Sequence, residues 1–557
     1  MTIRARGRAS VALLAAATAT SVVAGLFAGL SAGAATDDER AERASQRLGH
    51  QTLWRESFNG LAGEVAASGY THSGPKGWSV EIAPEMSAGG VDDWRGWTFT
   101  TREHWVAAED QMRHRFGRAD DVIAVADSDE YDDAPGAADR YDTTLVSAPV
   151  RVWGHDAVEL TFDSHLRPWT GQTATVTVEF DGSGIQTELL RYDSTNTVNN
   201  YDGTLANSTE ALRVDVPQGV RQAVFRWRLD APRNSWYWAV DSVSVRTTAT
   251  PTPPVDEATS LWVVSDIQGH PGDLAHGLRD LSAVRPDAAG MLMVGDIVNS
   301  GTTREWQEIY DVMDGAQDIV PDEVVAAIGN HESYAGETWE TLRDRFLQFA
   351  SRDRVWDEYV ISGAGGDVPV LVLGQEYPRP PEVGMSDEQV AWFESRLDHW
   401  TRQRKQVVVI THFPLGDTVS ASWIPWYHDH HERNAELTAI LGDHPNAILL
   451  TGHTHYPFEL GDWAVQRRVP GGHPDGFTAV NTGAMHVEWD ARGENTSGIS
   501  EVVTRDINRG LTLDVYADRV VIEARDFGLP DASGDNDVNE VVRRLEITNP
   551  LIHGRPR

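Results

Sequence analysis

The chain has 557 residues, 40% of them hydrophobic, with 84 acidic against 47 basic side chains, a formal charge of −37 and no cysteine. A surface this acidic repels nucleic-acid backbones and anionic membranes, so no nucleic-acid polymer is expected among its partners. Without cysteine there is neither a disulfide nor a lipid-modified N-terminal cysteine, and the length calls for two or more domains.

Taken in order, Arg4, Arg6 and Arg8 precede an apolar, alanine-rich run from Val11 to Leu30, and Ala32-Gly33-Ala34 supplies small residues for cleavage. This is the pattern of a secretory signal peptide over residues 1–35, and its interruption by threonine, serine and glycine sets it apart from a retained anchor. No second apolar stretch is long enough to span a bilayer. A secreted protein, extracellular or cell-wall associated and without a membrane span after signal cleavage, is expected.

From about residue 50 to 246 the pattern is short, alternating and rich in turns. Ala174-Thr175-Val176-Thr177-Val178-Glu179-Phe180 followed by Asp181-Gly182 is typical, and period two with such turns means half-buried antiparallel strands. Val158 to Phe162, Leu212 to Val216, Ala223 to Trp227 and Trp236 to Val245 are further strands, the last with a slip at Asp241-Ser242 as a bulge would make it. An all-β sandwich is expected. Its Glu56-Ser57-Phe58-Asn59-Gly60, Gly77-Trp78 and Trp238-Ala239-Val240-Asp241-Ser242-Val243 resemble the jelly-roll modules of extracellular adhesins and carbohydrate-binding proteins. That resemblance implies a glycan or another surface ligand. Asp127, Asp129, Asp132 and Asp133 either gather on a calcium ion through oxygen ligands or form a solvated acidic loop.

The stretch over residues 247–259, with Thr247-Thr248-Ala249-Thr250-Pro251-Thr252-Pro253-Pro254, has the composition of an extended, semi-rigid linker. Such a linker implies few contacts between the cores on either side and a second domain that works alone.

Over residues 260–550 short apolar strands alternate with helical periods, the layout of stacked βα units. Leu261 to Val264 runs into Ser265-Asp266-Ile267-Gln268-Gly269-His270, and Met291 to Val294 into Gly295-Asp296. Val324 to Ile328 runs into Gly329-Asn330-His331-Glu332, Val407 to Ile410 into Thr411-His412, and Ala447 to Leu450 into Thr451-Gly452-His453-Thr454-His455. Each puts a polar ligand type at the carboxyl end of a strand, where open α/β sheets place their ligands. Singly, these are turns, caps and loop histidines. Together and in this order they resemble the calcineurin-like metallophosphoesterase family, from Ser260 to about Thr548, a likeness that extends to Gln389, Trp392, Leu397 and Val480-Asn481-Thr482-Gly483.

The resemblance implies an αββα sandwich joined to the separate jelly-roll-like domain, an α+β protein as a whole. It also implies a dinuclear centre in which Asp296 bridges, Asp266 and His455 bind the first ion, and Asn330, His412 and His453 bind the second. Two divalent or trivalent ions, manganese, iron or zinc, suit this mix of oxygen and imidazole better than calcium. The implied reaction is hydrolysis of phosphomonoesters or phosphodiesters by a metal-bound hydroxide, with His331 as the general acid. Glu332 is read as orienting His331 or as a plain surface residue. One position departs from the pattern: where the family usually carries D-x-H, this chain has Gln268, a neutral donor, with His270 as the alternative ligand two residues on.

The segment Asp417 to Arg433, with Trp423, Trp426, Tyr427, His428, His430 and His431, should overhang the ions. Tyr334, Trp426 and His428 are the candidate substrate contacts, against a loop packed by its own aromatics. A second class of function stays open, a non-catalytic extracellular binding protein with the metal fold as scaffold. Retention of His331 argues against it, since a scaffold has no use for a general acid.

Overall fold

The computed structural model describes residues 52–193, 206–248, 255–377, 383–428, 430–490, 503–529 and 538–552. The signal segment and residues 249–254 of the linker lie outside these. Among the described residues no helix is long and apolar enough to cross a membrane.

The N-terminal half is two antiparallel sheets. In one, Ala157–Leu166 lies between Ala206–Asp215 and Tyr237–Thr247; in the other, Gln222–Pro232 lies between Thr173–Phe180 and Arg140–Val146. Period two decides which side chains go inside: Ala174, Val176 and Val178 are buried while the residues between them are not. Tryptophan supplies much of the bulk, with Trp78 stacked on Trp227 at 5.8 Å and Trp97 tilted against Trp238 at 5.6 Å. The bulge expected at Asp241-Ser242 is present, where the register with Ala157–Leu166 shifts between Asp241 and Ser244 and Ser242 takes a φ of 53°.

Neither expectation for the acidic cluster holds. Asp127 is fully buried, accepts hydrogen bonds from Trp105 Nε1 at 2.7 Å and Arg113 Nε at 2.9 Å, and caps the helix Ser128–Asp132 through the N–H groups of Asp129 and Glu130. Arg113 also reaches Asp129 and Glu130, and Asp132 pairs with Arg233. Asp127, Asp129 and Asp132 are committed to arginine and to a helix cap, which leaves no shared space for calcium, and of the four only Asp133 is exposed as in a solvated loop.

The C-terminal half has two six-stranded sheets. The first runs Val324–Ala327, Gly290–Val294, Thr259–Val264, Arg509–Val515, Arg519–Asp526, Glu540–Thr548; the second runs Asp357–Gly363, Gly366–Val372, Val407–Ile410, Ala447–Thr451, Phe477–Asn481, Ala464–Arg467. Its parallel strands are apolar on both faces because both faces are covered. Leu261, Val263, Leu292 and Val294 meet Val370, Val408, Ile410 and Ile448 between the sheets. Trp262, Val264, Met291 and Met293 point the other way, onto the helices Pro271–Val284, Thr303–Gly315 and Trp339–Phe349. Val407, Val409, Ala447 and Leu449 pack with the helices Asp387–Arg402 and Asn434–Gly442. The layers are therefore helix, sheet, sheet, helix.

The two halves share more than the linker composition implies, and Gly49–Arg557 form one compact unit. Buried Arg118 of the sandwich donates to the Asn207 carbonyl at 2.9 Å and to the Thr418 carbonyl at 2.5 Å. Arg468 donates to Ser242 Oγ at 2.8 Å. Backbones approach closely as well, since a Cβ on Gly461 would stand 2.5 Å from the Thr209 carbonyl oxygen. Polar groups buried on both sides fix this contact where an exposed tether would not.

Candidate metal centre

Five loops meet at the carboxyl ends of Thr259–Val264, Gly290–Val294, Val324–Ala327, Val407–Ile410 and Ala447–Thr451. The first three strands are neighbours in one sheet and the last two in the other, so the site straddles the junction of the sheets. His412 spans it, its Nδ1 donating to the Val294 carbonyl at 2.8 Å.

Two sets of donors, Asp266 with Asp296 and His455, and Asp296 with His412 and His453, each have ligand atoms within 4.8 Å of one another, and all five residues are buried. Asp296 belongs to both. His455 Nε2 stands 2.9 Å from Asp266 Oδ1, and His412 Nε2 stands 3.1 Å from Asp296 Oδ2. The remaining ring nitrogen of His455 is fixed by the Val487 carbonyl at 2.8 Å, as that of His412 is by Val294, so both rings turn Nε2 inward. Asn330 Nδ2 donates to Tyr334 Oη at 2.7 Å, leaving Asn330 Oδ1 buried and without a hydrogen-bond partner. A buried amide oxygen costs free energy unless something positive meets it, and a metal ion at this place would.

Charge points the same way. Burial works against ionisation of Asp296, but His412, His331 and His453 outweigh it and hold the carboxyl below its ordinary range. Burial also opposes the cationic form of His412, yet Asp296 and Asp266 push it up to about 9. Burial, His412 and His430 keep His453 well below the usual imidazole value, so its lone pair is available. Two buried carboxylates that recruit protons onto neighbouring imidazoles form a cradle that demands cations.

Local sequence explains the precision. A Cβ on Gly329 would lie 2.2 Å from Asp296 Oδ1, and one on Gly452 would lie 2.4 Å from Asp266 Oδ2. These glycines leave room for the carboxylates, beyond any turn they make. Asp266, Gln268, Asp296, His453 and His455 hold φ values of 52°, 48°, 52°, 71° and 55°, in the left-handed region.

The remaining sequence candidates divide. Gln268 reaches the cluster, its Nε2 3.1 Å from His455 Nε2 and 3.4 Å from His331 Nε2; turning the amide over would put its oxygen in the same place. His331 stands at the opening, its Nδ1 donating to the Asn299 carbonyl at 2.8 Å and its Nε2 3.9 Å from Asp296 Oδ2. Tyr334 is half-exposed, with its ring 4.8 Å from that of His331. His270 turns to His486 instead. His428 Nε2 faces Asp417 Oδ2 at 3.2 Å, and the side chain of Trp426 lies outside the described residues. Trp423 and Tyr427 pack with Ile424 and Tyr456, the self-packed loop.

Two residues are more central than their sequence context shows. Glu332 is fully buried and accepts from the N–H groups of Gly329 at 2.7 Å, Ile297 at 2.7 Å and Asp296 at 3.1 Å. It neither orients His331 nor lies on the surface; it clamps two ligand loops together. His430 Nδ1 lies 3.1 Å from His453 Nε2. The run of histidines in the Asp417 to Arg433 segment was the available signal for it; nothing in the sequence marks Glu332 as buried.

Residues 259–457 match the family described as calcineurin-like phosphoesterase, and residues 458–547 match a domain of unknown function, DUF4073. No curated protein matches the chain. Among solved structures, a dimetal phosphatase from Danio rerio is 15% identical with a TM-score of 0.36, over 53% of this chain and 99% of that one. The purple acid phosphatase PPD1 of yellow lupin seeds is 13% identical with a TM-score of 0.36, over 75% of this chain and 74% of that one. An adhesin domain of Lys-gingipain from Porphyromonas gingivalis is 17% identical with a TM-score of 0.22, over 36% of this chain and 100% of that one.

Proposed function

We propose that the calcineurin-like half of this chain is a metal-dependent phosphoesterase acting on phosphomonoesters or phosphodiesters. The observation that carries the reading is the pair of buried donor sets sharing Asp296, with the orphaned Asn330 Oδ1 beside them. Asp266, Gln268, Asp296 and His455 would hold one ion, and Asp296, Asn330, His412 and His453 the other. Manganese, iron or zinc bound there would offset phosphoryl charge and acidify water.

The chain's own residues supply the rest. With Nδ1–H tied to Asn299, His331 offers Nε2 toward the site, the atom from which a proton would pass to the leaving oxygen. Glu332 keeps the Asp296 and Asn330 loops in register, and Tyr334 beside His331 would meet the ester's organic group. The first 35 residues read as a secretory signal, so we place the reaction outside the cell, with the sandwich holding a glycan or another surface ligand.

The full chain, stripped by chelation and reloaded with each of several divalent metals, should hydrolyse members of a panel of chromogenic mono- and diesters. Silence across the panel with every metal would instead favour the non-catalytic binding protein.

A further inference from the structure

Next to the proposed centre a different set of donors converges. His270, Asp273 and His486 bring their ligand atoms within 4.8 Å of one another. His486 Nδ1 is 3.2 Å and His270 Nδ1 4.0 Å from the same oxygen, Asp273 Oδ2. The two imidazoles lie face to face, centroids 3.2 Å apart and planes within 9°, so both Nδ1 atoms sit side by side over one carboxylate. Each of the three is partly open to solvent, which gives an ion a way in.

The three residues come from two pieces of chain, His270 and Asp273 from the start of the helix Pro271–Val284 and His486 from a distant loop, each pinned by its backbone. His270 N–H donates to the Ile267 carbonyl at 3.0 Å, and Asp273 N–H to the His270 carbonyl at 3.1 Å. The Asp273 carbonyl accepts from Asn508 Nδ2 at 2.8 Å. Met485 N–H donates to the Ser265 carbonyl at 3.1 Å and Ile507 N–H to the His486 carbonyl at 3.2 Å. The backbone is therefore set before a ligand arrives, which favours binding; what an ion must still do is splay the two parallel rings so that both Nδ1 lone pairs meet at one point.

We infer that His270, Asp273 and His486 form a third metal site, for a single divalent transition ion such as zinc. Two imidazole nitrogens and one carboxylate oxygen are borderline donors that suit zinc, cobalt or nickel over calcium or magnesium. The site does not rest on the phosphoesterase reading. It does touch that centre's supports: His270 is two residues beyond Gln268, and His486 precedes Val487, whose carbonyl fixes His455. An ion here would brace together the two segments that carry Gln268 and the anchor of His455.

Metal content decides it. Full-length wild type and His486→Gln, both loaded with zinc and passed through gel filtration, should differ by one zinc per chain on mass spectrometry. In Asp296→Ala, where the central pair has lost its shared ligand, isothermal titration with zinc should still find one equivalent, abolished by adding His486→Gln or His270→Asn. Equal zinc content in wild type and His486→Gln would overturn the site, as would titrations that the added substitutions leave unchanged. Should Asp296→Ala not fold, the wild-type comparison stands alone, with circular dichroism confirming that His486→Gln is folded.

Discussion

Asn207 Nδ2, on a strand of the sandwich, donates at 3.2 Å to Asp417 Oδ1, on the loop that carries His430 to His453. The N-terminal half thus grips the segment lying over the candidate centre. Arg118, bonded to the carbonyls of Asn207 and Thr418, completes the grip. Removing a buried, charged donor of this kind costs about 2–4 kcal/mol, so Arg118→Ala should lower the denaturation midpoint and raise KM on a small ester. A chain starting near Thr259 should be insoluble or slow. A soluble truncated protein with the wild-type rate would show that the contact is incidental.

Asp296 belongs to both donor sets. Asp296→Ala should therefore remove the central metals together and abolish turnover. A folded Asp296→Ala retaining even a tenth of the wild-type rate would refute the dinuclear reading.

For His331→Ala the expected loss is about 10² to 10⁴ in rate on esters with poor leaving groups, the range for one proton donor. Metal content should hardly change, because His331 belongs to neither of the two donor sets that share Asp296. Equal losses on aryl and alkyl phosphates would count against the role.

Gln268 is a neutral donor beside His455. The first ion should dissociate more readily than the second, leaving fewer than two central ions per chain after dialysis, and Gln268→His should raise retention. The count must be made in His486→Gln so that the outer site does not contribute. Two firmly held ions in that background would mean that glutamine serves as well as histidine.

His165 lies fully buried between the rings of Phe116 at 5.2 Å and Tyr237 at 5.6 Å, and burial pushes its pKa down to about 3. Its folded pKa is below the unfolded value of about 6.5, so the unfolded chain binds more protons between the two. Its contribution is complete above pH 6.5 and is lost as pH falls toward 3, at about 1.4 kcal/mol per pH unit. Urea denaturation at pH 7 and pH 5 should show a smaller difference in His165→Phe than in wild type. Parallel pH dependence in the two would mean that His165 is not the group responsible.

Much of this was legible in the residues. Alternation in Ala174 to Phe180 fixed which side chains of that strand are buried, and apolar runs ending at Asp266, Asp296, Asn330, His412 and His453 marked the strand ends that meet. Those signals are local, and they survive folding because each strand carries its own period. What stayed hidden is non-local. Burial of Glu332 depends on three backbone N–H groups from two loops, and the grip of Asn207 on Asp417 links positions 210 residues apart. The face-to-face pair of His270 and His486 likewise follows from packing the Pro271–Val284 helix against a distant loop, which no short motif encodes.

The left-handed backbone at Asp266, Gln268, Asp296, His453 and His455 has a consequence for evolution in the laboratory. Glycine adopts such dihedrals without a clash, whereas other residues give up about 1 kcal/mol or more at each. These five positions therefore sacrifice conformational ease for the sake of a side chain. Selection for heat resistance alone, blind to turnover, would set the relief that glycine gives against the buried partners each side chain leaves unpaired, so drift toward glycine should come first at the partly buried Gln268. A library sorted first for stability and then for metal uptake would reveal that opposition position by position.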